Sequence, residues 1–223
     1  MRWSETPRDW VTRAQQAFIV ALWPFLLLTV SCTEVGTDDM NGSPSQFCLT
    51  YGETEYCFLE SQTWAVSGEG ESPSIGIVLA DEDVAGLEHP LRPEPTLRQF
   101  GMTSYGSGRT AETAFLGTKG SYTRLQKPSF TLSDLACEYV DGPDAYSGKE
   151  YLCSGYQAET NSFVFLLCKP PRDGIRGSCT HREYYPDFVA NIYYDYLHRE
   201  QWSIFSLAIG AITERARERG NNE

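Results

Sequence analysis

Histidine is scarce in this 223-residue chain: there are three, His89, His181 and His198. None falls in a metal-binding spacing. His181 with Glu183, and His198 with Glu200, stand two apart, which on a helix turns side chains to different faces, so no local zinc scaffold is predicted and the rings are expected at the surface. Basic charge is also short, with 18 Lys and Arg against 30 Asp and Glu and a net charge of −12. Such a balance excludes nucleic acid as a natural partner and repels anionic head groups. Catalytic signatures are missing as well: there is no Gly-x-Ser-x-Gly elbow, no Gly-Lys-Ser/Thr phosphate loop and no Asp ladder of a calcium loop. The segment 102–110, MTSYGSGRT, offers Ser104, Ser107 and two glycines, but it reads as a loop without a strand-to-helix setting. No catalytic residue, metal site or cofactor is therefore predicted.

Long apolar runs are absent too. Ala17–Val30 covers 14 residues and contains Pro24, short of the roughly 20 that cross a bilayer core. Arg2, Arg8 and Arg13 precede it, and Ser31 and Cys32 come directly after it, where the chain turns polar and acidic. This is the pattern of an export signal over residues 1–31. The motif Leu28-Thr29-Val30-Ser31-Cys32 resembles a bacterial lipoprotein signal, with Thr29 standing where leucine is usual. The resemblance implies lipid attachment at Cys32 and a membrane anchor in the cell envelope; cleavage by a general signal peptidase, giving a soluble secreted chain, and an uncleaved anchor are the alternatives. Residues 1–31 carry three arginines against two acids, so the remainder of the chain is one charge more acidic than the whole.

Cysteine is what the sequence has instead of metal-ligand spacing. Setting Cys32 aside leaves six, Cys48, Cys57, Cys137, Cys153, Cys168 and Cys179, an even number that in an exported chain implies disulfides. Their pairing is partly legible. Gly52-Glu53 between CLTY and TEYC suits a type II′ turn; pairing Tyr51 with Thr54 then sets Cys48 opposite Cys57 at a non-hydrogen-bonded position. Pairing Tyr139 with Tyr151 sets Cys137 opposite Cys153, although the longer loop leaves that register open. Cys168 and Cys179 remain as the third pair.

Residues 32–47 read as a flexible acidic tether and 48–219 as one globular domain. Short β-branched and aromatic runs such as Ser74–Leu79 and Phe163–Leu167 predict strands. Glu88–Pro95 reads as a loop, and the acidic clusters Ala80–Asp83 and Asp141–Asp144 as turns. After Cys179 the spacing of Phe188, Ile192 and Tyr196 predicts a helix opened by Pro186. Trp202, Phe205, Ile209, Ile212 and Ala216 predict a second, separated by a polar turn at His198–Gln201; Ile204–Ile209 could alternatively be a buried strand. The expected fold is α+β: a mainly antiparallel β-sheet with C-terminal helices, braced by disulfides. The expected function is a non-catalytic binding or assembly module, tethered to the membrane by its lipid anchor and facing an envelope protein or a cell-wall polymer. A carbohydrate- or peptide-processing hydrolase and a lipophilic-ligand carrier are the alternatives. An exposed aromatic row, a cleft of convergent acids or a closed apolar cavity would separate the three.

Overall fold

The computed structural model describes residues 44–222, apart from 68–72, 93–97, 107 and 144–147. The expected export segment, Cys32 and nearly all of the tether lie outside the described residues. The first strand, β1 (Gln46–Tyr51), starts two residues ahead of Cys48 and forms a hairpin with β2 (Thr54–Leu59). Its register pairs Tyr51 with Thr54 and Cys48 with Cys57, as the Gly52-Glu53 turn requires, and Gly52 has φ +62°.

The large sheet is antiparallel and holds ten strands. One meander is β3 (Thr63–Ser67), β4 (Ser74–Val78) and β5 (Gln99–Ser104). The other runs through β8 (Leu135–Asp141), β9 (Tyr151–Gln157), β10 (Ser162–Lys169), β11 (Ser178–Tyr184) and β12 (Phe188–Asp195). They join side by side where β5 pairs with β12. Helix α1 (Ala111–Gly120) carries the chain from β5 toward the far edge, where the short β6 (Thr123–Arg124) and β7 (Phe130–Leu132) lie along β8. Cys137 opposes Cys153 and Cys168 opposes Cys179, so all three disulfides join directly facing strand residues, with Cα separations of 4.0 to 4.2 Å.

The segment opened by Pro186 is a strand and not a helix. Phe188, Ala190, Ile192 and Tyr194 are all buried, the period of two expected of β12 between two neighbours. The second stripe is helical: α2 spans Trp202–Gly220, and the polar stretch before it is a 3₁₀ helix, Tyr196–Gln201. Helix α1 has no counterpart in the sequence reading, since Phe115 is its single buried residue and gives no stripe. Among the described residues no helix is long and apolar enough to cross a membrane.

Strand alternation divides the sheet into two faces. One carries Ile75, Phe100, Met102, Leu166 and Ile192, and is covered by α2 and the β1–β2 hairpin. Phe205 of α2 stacks on Tyr194, and Tyr51 of β1 packs beside Phe188. The other carries Phe163, Phe165, Leu167 and Tyr184, and α1 covers it mainly over β10 and β11 through Phe115, which stacks on Phe163, with Lys119 reaching Ser154 of β9. Tyr184 Oη donates to Thr118 Oγ1 at 2.7 Å and pins the helix there.

Candidate functional site

The part of this second face built by β3, β4, β5 and β12 forms an open groove of about 720 Å³ beside α1. Strand registers place its residues in rows. One row runs Phe165, Arg182, Asn191, Gly101, Gly76 across five strands, each directly opposite the next. Beyond Gly76 the bulge between Thr63 and Ala65 swings Trp64 over the end of the row. A Cβ on Gly76 would fall 2.0 Å from Trp64 Nε1, so the indole rests directly on the glycine, as aromatic side chains do when they cover an edge glycine. Gly101 is different: a Cβ there would meet nothing closer than 3.9 Å. Packing does not require glycine at that position; a side chain would stand in the groove, and a strand glycine of this kind leaves room for close approach by another molecule.

Two large rings frame the floor: Trp64 is 59% exposed and Tyr193 45% exposed. Around them lie Thr103, Thr180 and Gln99, and among the described residues no acid, base or thiol lines this part. Toward α1 the groove continues past Thr103 and Asn191 into a second cleft of about 690 Å³, lined by Tyr105, Thr113, Thr118, Tyr184, Arg109 and Arg182 among others. The Tyr105 hydroxyl lies 2.5 Å from the carbonyl oxygens of both Tyr185 and Phe188, and burial, with Tyr184 and Asp187 nearby, pushes its pKa up. It is therefore a fixed wall of the cleft.

The 102–110 segment does have a strand-to-helix setting, which the sequence reading denied it: β5 ends at Ser104 and α1 starts at Ala111, with a loop between. The turn is nevertheless occupied with itself. Thr110 and Thr113 cap the helix reciprocally, each side chain meeting the other's backbone N–H.

The expected surface histidines are also corrected. His89 is exposed, but His181 and His198 are buried. His181 and Glu183 stand two apart on a strand, which puts them on one face, and His181 Nε2 lies 3.0 Å from Glu183 Oε1. The ring nitrogens have no aligned hydrogen-bond partner among the described residues, so the pair is close without being a good hydrogen bond. Around Glu183 gather Tyr185 Oη, donating at 2.6 Å, Ser162 Oγ, donating at 3.4 Å, and Ser206 Oγ of α2. Burial opposes ionisation of Glu183, but the contacts from His181, Ser206 and Tyr185 outweigh it and hold the carboxyl below its ordinary range. Tyr185 is shifted up, first by burial and then by that charge. Serine, histidine and carboxylate meet here, yet the serine bonds the carboxylate instead of the imidazole, and His181, Glu183 and Ser206 are all fully buried beneath α2. The arrangement fastens α2 to the sheet.

Sequence reasoning misses Arg182, Asn191, Gly101 and Tyr193. Two glycines inside apolar strands, GIV and FGM, are the one local signal that could have marked the floor. No family model matches the chain, and no curated protein is similar to it. Among solved structures, the fold is similar to that of Smlt3025, an immunity protein of the Stenotrophomonas maltophilia type IV secretion system. The TM-score is 0.49 at 14% identity, over 80% of this chain and 96% of that one; a likeness of that degree assigns nothing to this chain.

Proposed function

We propose that this chain is a binding module of the cell envelope, anchored by lipid at Cys32, that holds a segment of a partner protein across the uncovered part of its sheet. The observation that carries the reading is the groove itself: a glycine-floored sheet face, framed by exposed Trp64 and Tyr193, that α1 leaves open. Leaving large rings and open floor in water forgoes burial worth roughly 25 cal/mol per Å² of apolar surface, which a partner recovers. Three disulfides fit an oxidising compartment. Among the described residues neither cleft is lined by an acid, histidine or thiol that could serve as general base or nucleophile in hydrolysis. A carrier would enclose its ligand, whereas this groove is open along its length.

A photoreactive benzoyl-phenylalanine at position 193, irradiated in the intact envelope, tests this. A protein adduct that disappears with Trp64→Ala, and does not form from the similarly exposed position 207 on α2, is the expected result. A glycan adduct, or equal labelling from 193 and 207, refutes it. Trp64→Ala should change stability by less than about 0.5 kcal/mol, as exposed substitutions do. Intact-mass analysis of the N-terminus tests the anchor: an unmodified peptide starting at Thr33 would remove it from the reading.

A further inference from the structure

Arginine is distributed unevenly in this acidic chain. Arg92, Arg98, Arg124, Arg199, Arg215 and Arg217 each sit within 2.5 to 3.2 Å of a carboxylate. Arg182 and Arg109, like Arg172 and Arg219, have no carboxylate partner among the described residues, but these two line the cleft between α1 and the sheet, whose described lining contains no acid. Arg182 lies on the ring of Phe165, its direct cross-strand neighbour, with the guanidinium carbon 5.8 Å from the ring centroid. Its Nε is buried and has no acceptor among the described residues. A buried donor left without an acceptor is costly, and a carboxylate is the group that a guanidinium fork satisfies best. At the α1 N-terminus the Thr110 and Thr113 N–H groups are taken by the helix's own capping box.

We infer that this end of the groove is a carboxylate subsite, in which Arg182, helped by Arg109, receives an Asp or Glu side chain of the partner segment. The inference rests on the groove reading and adds the chemistry of the segment. The strand register also supplies a spacing. From Arg182 to Gly76 there are three strand intervals, about 14 Å in all at 4.7–4.9 Å each. An extended chain covers that distance in about four residues. Residues four apart on an extended chain face the same way, so the segment carries an acid at one position and a large apolar side chain four positions along. The acid meets Arg182 while the apolar side chain meets Trp64.

A displayed library of random nonapeptides, selected on the disulfide-intact protein, tests this. Wild type should enrich peptides with Asp or Glu four positions from a large apolar residue. A selected peptide should lose roughly tenfold in affinity when its acid is replaced by the matching amide, the effect of one charge-assisted hydrogen-bond set. On Arg182→Gln both peptides should bind alike and still depend on Trp64, and Arg182→Lys should restore part of the difference. If Arg182→Gln fails to fold, Arg109→Gln, on an exposed loop residue, should reduce the same acid dependence. Enrichment of apolar peptides without an acid, or acid dependence that survives Arg182→Gln and Arg109→Gln alike, overturns the carboxylate subsite and leaves the groove reading standing. Selection of no peptide by wild type overturns the groove reading, and the subsite with it.

Discussion

Replacing Glu183 with alanine removes the acceptor on which Ser162 of β10, Tyr185 and Ser206 of α2 converge. It also leaves His181 without the carboxylate 3.0 Å away, at a site where both residues are fully buried. Each hydroxyl orphaned in the interior costs about 1–3 kcal/mol, and three converge on this carboxylate. These overlap, so the expected loss at pH 7 is about 3–5 kcal/mol, a large share of the roughly 5–15 kcal/mol that holds a domain folded. Glu183→Gln keeps one acceptor oxygen and should cost less, about 1–3 kcal/mol. Urea unfolding with the disulfides oxidised in every variant reads the difference. The sign with pH is set by the depressed folded-state pKa of Glu183. Its contribution is present above the unfolded value of about 4.3 and is lost as pH falls through the lower folded value. The gap between wild type and Glu183→Gln should therefore narrow below about pH 4.3. A loss under about 1 kcal/mol for Glu183→Ala at pH 7, or a gap unchanged from pH 7 to pH 3, refutes the ionised, α2-fastening role.

Trp202 is buried at the start of α2, edge-on to His181, so Trp202→Ala should cost about 3–5 kcal/mol by the same urea measurement; a change near zero would mean that the helix start does not pack. Replacing Cys48 and Cys57 together by alanine opens a short loop with a sequence separation of 9 and should cost about 2–3 kcal/mol, with no effect on Trp64-dependent binding on the opposite face of the sheet. Non-reducing peptide mapping should join Cys48 to Cys57, Cys137 to Cys153 and Cys168 to Cys179, and a peptide linking Cys48 to any other cysteine would break the hairpin.

The first disulfide could be derived from the sequence because a two-residue turn at Gly52-Glu53 leaves its hairpin one register. The longer loop between Tyr139 and Tyr151 left the second register open, and Cys168 with Cys179 followed only as the remaining pair; strand pairing in the sheet fixed both. The strand-rich character and the helix from Trp202 were legible for a similar reason: β-branched runs and a long 3.6-residue stripe are properties of a continuous segment. The segment Phe188–Asp195 shows the limit. Residues four apart satisfy both the helical period and the strand period, so Phe188 and Ile192 could not separate them, and Ala190, the small residue that completes the alternation, carries little signal. Strand pairing decided it, since β11, its hairpin neighbour, on one side and β5, remote in sequence, on the other take up the backbone hydrogen bonds of β12. The same non-local pairing made the site. Arg182, Asn191, Gly101, Gly76 and Trp64 come from five strands of two meanders, and nothing in their local sequences says that they share one face. Nor could the sequence say that α1, with one buried side chain, would cover β10 and β11 and leave the glycine floor open. Turn chemistry and side-chain period act over a few residues, whereas which face of a sheet stays uncovered depends on where every other element finds its best packing.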